Sequence, residues 1–453
     1  MGRITLGQAA SWCGGKVKPE YENVTFLGAN NDSRKLLPGE LFIALQGERD
    51  GHDFIPAALE RGAAAVLCTH CDGDYPAIVV EDTRIALGDI ARQERLRIGM
   101  KVVGVTGSVG KSTTKEMIAC ALQGKYRVAK TPVNHNNDIG MPMAVLGMPE
   151  DTEVAVVEMG MNHFREMAYL TSVAKPDVAV IINIGTMHIE NLGSKEGILQ
   201  AKLEILEGMS ENGRVILNGD DSLLWNQQKV SDKQATYFGI ENGDCDVRGT
   251  VLSAQPGSLR MLISDGKQEF PIELPIEGDH YLPDALAAAA VALTLQVEPE
   301  RIRENFLTFH NMEGRQEILQ VNGYTIIKDC YNAGPESMRA ALNVLNAKPG
   351  RHVAVLGDML ELGMCSQAEH YKVGRLAAEK ADILLAYGPN SPRTLHGAVT
   401  GGMTGSAAQA FTDREKITAV LRQIAKPGDV ILFKGSHGMH MELILEAFLN
   451  TEK

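Results

Sequence analysis

Residues 102–114, Val-Val-Gly-Val-Thr-Gly-Ser-Val-Gly-Lys-Ser-Thr-Thr, carry an apolar run straight into a glycine-spaced turn that ends in Lys111-Ser112. The pattern asks for a buried strand, a tight turn and a helix in immediate succession, which commits this part of the chain to an α/β layer. Gly107 and Gly110 free the backbone to aim N–H groups at phosphate oxygens, with Ser108, Val109 and Thr113 on the same turn. Lys111 adds a mobile positive charge, the Ser112 hydroxyl can reach a Mg²⁺, and the following helix presents its positive dipole end. The longer Walker spacing places its first glycine at position 105, where this chain has Val105, so the loop is the shorter T-G-x-x-G-K-S form. The predicted ligand is a nucleoside triphosphate; a tight strand-to-helix turn without a ligand is the alternative.

A chain of 453 residues is long enough for about three domains, each with its own core. Its formal charge of −13 argues against a nucleic acid as general partner, while leaving room for a locally basic pocket. Seven cysteines spread over this length point to reduced thiols and a cytoplasmic setting. Cys68 and Cys71 form a lone C-x-x-C directly after apolar Ala63 to Leu67, so the end of a buried strand is expected there in preference to zinc or redox chemistry. The N-terminus has no basic segment followed by an apolar core, and Leu6 spoils a myristoylation pattern after Met1-Gly2. The apolar run Ala285 to Leu295 is too short for a membrane span and predicts a buried helix.

The expected fold class is α/β in three domains: residues 1–98 as a small α/β module, 99–314 as a central, mostly parallel phosphate-loop sheet, and 315–453 as a Rossmann-like domain. The first has short strands at Leu41 to Leu45, Ala64 to Leu67 and Ala77 to Val80, closing with a helix from Ile85 to Ile98. In the second, near-continuous Val, Ile and Ala runs at 102–106, 154–158 and 178–184 read as buried parallel strands. Alternation near 236–277 suggests β-hairpins on that sheet's edge, followed by an Ala-rich helix at 284–296. Strands at Tyr324 to Lys328, His352 to Leu356, Ile383 to Ala386 and Val430 to Lys434 define the third, with a hinge near 314.

Ligands of open parallel sheets bind beyond the carboxyl ends of the strands. The first central strand ends in the phosphate loop, the second in Glu158-Met159-Gly160-Met161-Asn162-His163 and the third in Asn183 to Glu190. Glu158 and His188 can therefore converge on the metal that accompanies a triphosphate; Mg²⁺ favours a carboxylate plus phosphate oxygens, with histidine a less usual addition. Taken singly, Glu158 could be a helix cap and His188 a satisfied core histidine. Ser194 is placed to cap a helix on which Lys202 lies among apolar neighbours, where a lysine ordinarily snorkels to solvent.

Taken together, Thr106 to Glu116, Asn136-Asn137-Asp138-Ile139-Gly140, Glu158 to His163, His188 to Ser194 and Ala201-Lys202-Leu203-Glu204 resemble the Mur ligases of peptidoglycan synthesis. Gly314-Arg315, Asp329 to Met338, Gly357 to Gly363, Lys434-Gly435-Ser436 and Asp32-Ser33-Arg34 extend the resemblance over nearly the whole chain. It implies an ATP-dependent amide ligase, most similar to the dipeptide-adding branch. There the carboxylate of a UDP-N-acetylmuramoyl-tripeptide takes the γ-phosphate and the amine of D-alanyl-D-alanine displaces it. On the same footing Lys202 would be carbamylated and bind a second Mg²⁺ with His188, while Ser112 and Glu158 hold the first. Arg315 and Asp329 would hold ATP phosphates and ribose, and Asn137 would serve the central loop without a settled role. Ser33 and Arg34 would contact the uridine diphosphate, and Asp358 and Lys434 would face the incoming dipeptide; each has an ordinary structural alternative as a turn former or ion pair. A monomer is expected. Three positions depart from the family pattern: Asp284 in place of an amide near the adenine, Arg165 in place of glycine, and His437 in place of arginine. Other ligases of the superfamily, folylpolyglutamate synthases among them, and a non-catalytic ATP-binding protein are the alternatives.

Overall fold

The apolar runs at 102–106, 154–158 and 178–181 are buried along their length and pair in parallel, and Lys101, which opens the first strand, is exposed. Such strands need cover on both faces, and helices supply it. The computed structural model describes residues 4–227, 234–255, 257–312 and 314–450. Met1 and Gly2, read above for an N-terminal signal, lie outside the described residues, as does Pro256 within the expected hairpins.

The central sheet has nine strands. From one edge these are Val128–Lys130, Val154–Glu158, Lys101–Thr106, Val178–Ile181, Arg214–Asn218, Ala235–Gly239 and Val247–Gln255, all parallel. Ser258–Ser264 and Glu269–Leu274 then add the expected antiparallel hairpins. After Lys101–Thr106 the chain builds outward on one side, and after Val154–Glu158 on the other. The carboxyl end of Lys101–Thr106 is thus a topological switch point, where a parallel sheet opens a crevice.

Helices Lys111–Leu122 and Leu282–Thr294 cover one face, the alanines of the second allowing close approach to the first. The other face shares a single core with the N-terminal module, through Leu87, Ile90 and Ala91 of helix Thr83–Ile98 against Met167, Leu170 and Val173. That module is a four-stranded parallel sheet of Ala29–Asn30, Leu41–Ile43, Ala65–Cys68 and Ala77–Val79. Cys68 ends its third strand, buried, and burial pushes its thiol up to about 12. Both Cys68 and Cys71 are free thiols.

The C-terminal sheet has six strands, ordered Glu317–Val321, Tyr324–Asp329, Val430–Lys434, His352–Gly357, Ile383–Tyr387 and Ala408–Phe411. The first pair is an antiparallel hairpin turned at Asn322-Gly323, both with positive φ, and the rest are parallel. The expected strand 178–184 stops at Ile181, because Asn183 turns its backbone and side chain to the phosphate loop. The Ala-rich helix starts two residues earlier than expected, at Leu282, with Pro283 in its first turn where a missing N–H costs nothing. Among the described residues no helix is long and apolar enough to cross a membrane.

Candidate active site

The phosphate loop is held in shape by contacts within the protein. Gly110 takes φ 84°, open to glycine at little cost, and hands over to the Lys111–Leu122 helix. Asn183 clamps the loop from the neighbouring strand: its Oδ1 accepts from the N–H groups of Ser108 and Val109, both at 3.0 Å, and its Nδ2 donates to Val109 O at 3.0 Å. Ser108 Oγ accepts from Gly185 N at 2.8 Å. Lys111 Nζ lies back on the loop, donating to Gly107 O at 2.9 Å and Ser108 O at 3.4 Å. Burial, with help from Arg315, holds its ammonium below the usual lysine range despite the opposing pull of Glu158 and Glu361.

Glu158, at the end of its strand, is 2% exposed. Its Oε2 accepts from Ser112 Oγ at 2.7 Å and its Oε1 from Asn136 Nδ2 at 2.8 Å. Burial pushes this carboxyl up, but Lys111, Ser112, Asn136 and Lys115 together outweigh it and keep it below the usual range. Lys115 stands behind it, fully buried, donating to Thr131 O at 2.7 Å and lying 3.9 Å from Glu158. Arg315 reaches in from the C-terminal side: it donates to Ser112 Oγ at 2.9 Å and stacks 3.9 Å over the Tyr331 ring. Tyr331 in turn hydrogen-bonds Asn134 of the central domain.

These residues line a cavity of about 500 Å³ between the central and C-terminal sheets, within the range of small-ligand sites. Ser108 to Thr113, Asn137, Glu158, His188, Asp284, Arg315, Asp329 and Lys434 all contribute to its wall. Asn137 Oδ1 accepts from Gly140 N, at the start of the next helix, at 2.7 Å. Asp329 pairs with Lys434 at 2.6 Å, and that ammonium also donates to Asn332 O at 3.0 Å. Asp284 accepts from Thr114 Oγ1 at 2.8 Å. His188 adopts φ 65°, and its Nδ1 lies 2.7 Å from Glu361 Oε2 of the C-terminal domain, outside hydrogen-bonding angles.

Five expected residues stand outside this wall, the first being Gly107, whose carbonyl accepts from Lys111 Nζ. Lys202 is 1% exposed on helix Lys195–Leu203, which Ser194 caps through Gly197 N as expected. Among the described residues it has no ion-pair partner, and burial, reinforced by the charge of Lys111, holds its amine well below the usual range. Asp358 is folded into its own domain, its Oδ2 accepting from Asn390 N at 2.8 Å and Nδ2 at 3.1 Å. Ser33 and Arg34 lie on an N-terminal turn where Asp32 accepts from the Arg34 Nε and guanidinium, both at 2.9 Å. That pairing lowers the Asp32 carboxyl to about 2.

Of the departures, Arg165 takes φ 72°, gives its N–H to both oxygens of Glu204 at 2.9 Å, and pairs with Glu207 at 2.8 Å. His437 sits with its ring 6.1 Å from Tyr331. The clamp of Asn183, the Asn136 contact and Glu361 were missed from sequence. For Asn183 part of the signal was there, a polar residue directly after the apolar run of a central strand.

The donor set suits a hard divalent cation in part. Ser112 Oγ and Glu158 offer oxygens 2.7 Å apart at the phosphate loop, and Mg²⁺ takes one or two carboxylates plus phosphate and water. Among the described residues no group of three or more His, Cys, Asp and Glu forms a ready-made cage.

Three family models match the chain in order: "Mur ligase family, catalytic domain" over residues 23–95, "Mur ligase middle domain" over 105–292 and "Mur ligase, glutamate ligase domain" over 314–437. The chain is 38% identical over 442 residues to the UDP-N-acetylmuramoyl-tripeptide–D-alanyl-D-alanine ligase of Bacillus subtilis, covering 96% of this chain and 95% of that one. A crystal structure of MurF from Acinetobacter baumannii matches with a TM-score of 0.91 and 31% identity over 100% of both chains. The MurF ligase of Thermotoga maritima in complex with ADP matches with a TM-score of 0.81 and 30% identity, over 93% of this chain and 96% of that one.

Proposed function

The chain belongs to the Mur ligase family, and from that membership and the cavity just described we infer that it is an ATP-dependent, ADP-forming ligase joining D-alanyl-D-alanine to UDP-N-acetylmuramoyl-tripeptide. It binds ATP and serves peptidoglycan precursor synthesis. One observation carries the placement of the chemistry: Lys111, Ser112, Glu158 and Arg315 converge at one strand end, with Ser112 at 2.7 Å from Glu158 and 2.9 Å from Arg315.

A carboxylate is a poor electrophile and hydroxide a poor leaving group, so the tripeptide acid must be activated. Its oxygen attacks the γ-phosphate, ADP leaves, and the resulting acyl phosphate is attacked by the dipeptide amine. Phosphate then departs from the tetrahedral intermediate. Phosphoryl transfer depends on alignment and charge neutralisation. Lys111 supplies the mobile charge, the Gly107–Ser112 turn its N–H groups, and Arg315 a second cation from the other domain. Asp329 and Asn137 lie on the same cavity wall, where nucleotide contacts are proposed for them. Closure of the two sheets over the cavity excludes the water that would hydrolyse the acyl phosphate.

Ser112 and Glu158 would hold a Mg²⁺, and His188 with a carbamylated Lys202 a second; bound there, the ions would neutralise phosphate charge. Carbamylation joins the Lys202 nitrogen to CO₂ and releases a proton, which requires the neutral amine. The depressed basicity of this buried lysine favours that form.

Residues 1–98 are proposed to hold the UDP group at Ser33 and Arg34, whose side chain is 86% exposed. The central unit, 99–314, holds ATP, and 315–453 receives the dipeptide near Lys434. Asp358 would act there through the turn it pins. Monomeric action in the cytoplasm, where UDP-linked precursors and ATP meet, completes the proposal. Phosphate release tests it: turnover should require both UDP-muramoyl-tripeptide and D-alanyl-D-alanine. A single amino acid or folate as the only productive substrate overturns it.

A further inference from the structure

The first turn of the Leu282–Thr294 helix sets a carboxylic acid against the phosphate loop. Asp284 is 6% exposed, lines the cavity and accepts from Thr114 Oγ1 at 2.8 Å. Its Oδ1 lies 2.6 Å from where a β-carbon on Gly110 would stand, so the carboxyl rests on the loop backbone where the helix begins. A polyanion is proposed to bind at that same loop.

Among the described residues, the groups facing this carboxyl leave it without a direct counter-ion. From the phosphate-loop helix come the Thr114 hydroxyl and the Gly110 backbone, while Lys111 on that helix gives its ammonium to Gly107 and Ser108. Arg315 acts on Asp284 from the hinge, but it is bonded to Ser112 and stacked on Tyr331. Tyr281 of its own turn is buried and holds its proton, and Asn218 of the underlying strand is uncharged. Burial therefore dominates and pushes Asp284 up to about 7, against smaller lowering by Thr114 and Arg315.

We propose that Asp284 is a positioning residue for the nucleotide that works as the uncharged acid, so that triphosphate binding takes up a proton here whenever the free protein holds the carboxylate. This rests on the ATP reading above. The sign follows from linkage. An anionic ligand beside the carboxyl favours its protonated form, so affinity is full at acid pH and falls as pH rises through the free protein's transition. The limiting slope is about tenfold per pH unit for one proton.

Isothermal titration of the full chain with a non-hydrolysable ATP analogue and Mg²⁺, between about pH 6 and pH 8.5, in buffers of different ionisation enthalpy, measures both quantities. The expected result is a fall in wild-type affinity approaching tenfold per unit above neutrality, with up to one more proton taken up than in Asp284→Asn, whose amide has the same shape and no charge. The nucleotide's own titration is common to both proteins. Thr114→Val removes the hydroxyl that favours the carboxylate, so it should move the fall to higher pH. Equal slopes and proton counts in wild type and Asp284→Asn, with Thr114→Val superposing on both, overturn the inference while leaving ATP binding intact. Absence of nucleotide binding at every pH overturns the ATP reading instead.

Discussion

Asn183 offers a way to separate the stability of the phosphate loop from its affinity for phosphate. The side chain makes three hydrogen bonds at 3.0 Å, two accepted from Ser108 and Val109 N–H and one donated to Val109 O. Asn183→Ala removes all three. At about 1 kcal/mol net for each, stability should fall by about 3 kcal/mol, and the unclamped loop should bind ATP more weakly. Asn183→Asp keeps both accepted bonds, which a charged acceptor strengthens, and loses only the donated one, so its stability cost should be about 1 kcal/mol. It also fixes a negative charge under the loop. At about 6 Å from a phosphate charge and an effective dielectric of about 20, the repulsion is about 3 kcal/mol, or about 10²-fold in affinity. Urea denaturation and KM for ATP, with the other substrates saturating, read the two effects independently. The expected outcome is an alanine variant that loses mostly stability and an aspartate variant that loses mostly ATP affinity. An aspartate variant as unstable as the alanine one, or binding ATP like wild type, refutes the clamp as described.

Lys111→Ala should cost on the order of 10²-fold or more in kcat/KM, because its charge is needed most where phosphate charge develops; unchanged kinetics would exclude the loop as the cradle. Lys202→Ala should be nearly inactive and recover part of its activity with added short carboxylates, and wild-type turnover in that variant would remove the carbamate. Asp284→Asn should change stability as well as binding. The folded protein holds this proton up to about pH 7, against about 4 for a free carboxyl, so the wild type loses stability as pH rises across that window. The asparagine variant should therefore gain on it by up to about 4 kcal/mol between pH 4 and pH 8 in urea titrations, and a constant difference would show that the carboxyl ionises freely.

The phosphate loop was legible because its chemistry is local: two glycines, a lysine and a serine lie within six residues after an apolar strand. The central strands were legible for a similar reason, since burial on both faces writes itself as an unbroken apolar run. Edge strands lack that signature. Val128–Lys130 has one half-buried face and ends in lysine, and Glu317–Val321 is only partly buried along its length. Its Asn322-Gly323 turn was a hairpin signal in the sequence, flanked by strand residues on both sides. Asp358 shows the limit of arguing from strand ends. The side chain after His352–Gly357 turned away to satisfy the Asn390 N–H, a demand made by a loop thirty-two residues further on.

The half of the site that sequence could not supply is the contact between the sheets. Arg315 meets Ser112, Tyr331 meets Asn134, Glu336 approaches Thr186 at 3.4 Å, and Glu361 faces His188 at 2.7 Å. No periodicity or local spacing records such pairs, because each partner belongs to a loop whose position is set by a different core. The backbone does record them. His188 and Glu361 both carry positive φ, at 65° and 62°, a region histidine enters more readily than glutamate, and a β-carbon on Gly363, at φ 48°, would stand 3.0 Å from Glu190 Cβ. Holding a non-glycine residue in that region costs about 1–2 kcal/mol, and it persists where surrounding contacts over-determine it. Here two such residues from different domains meet at 2.7 Å, so each loop's conformation is held by the packing that brings the two sheets together.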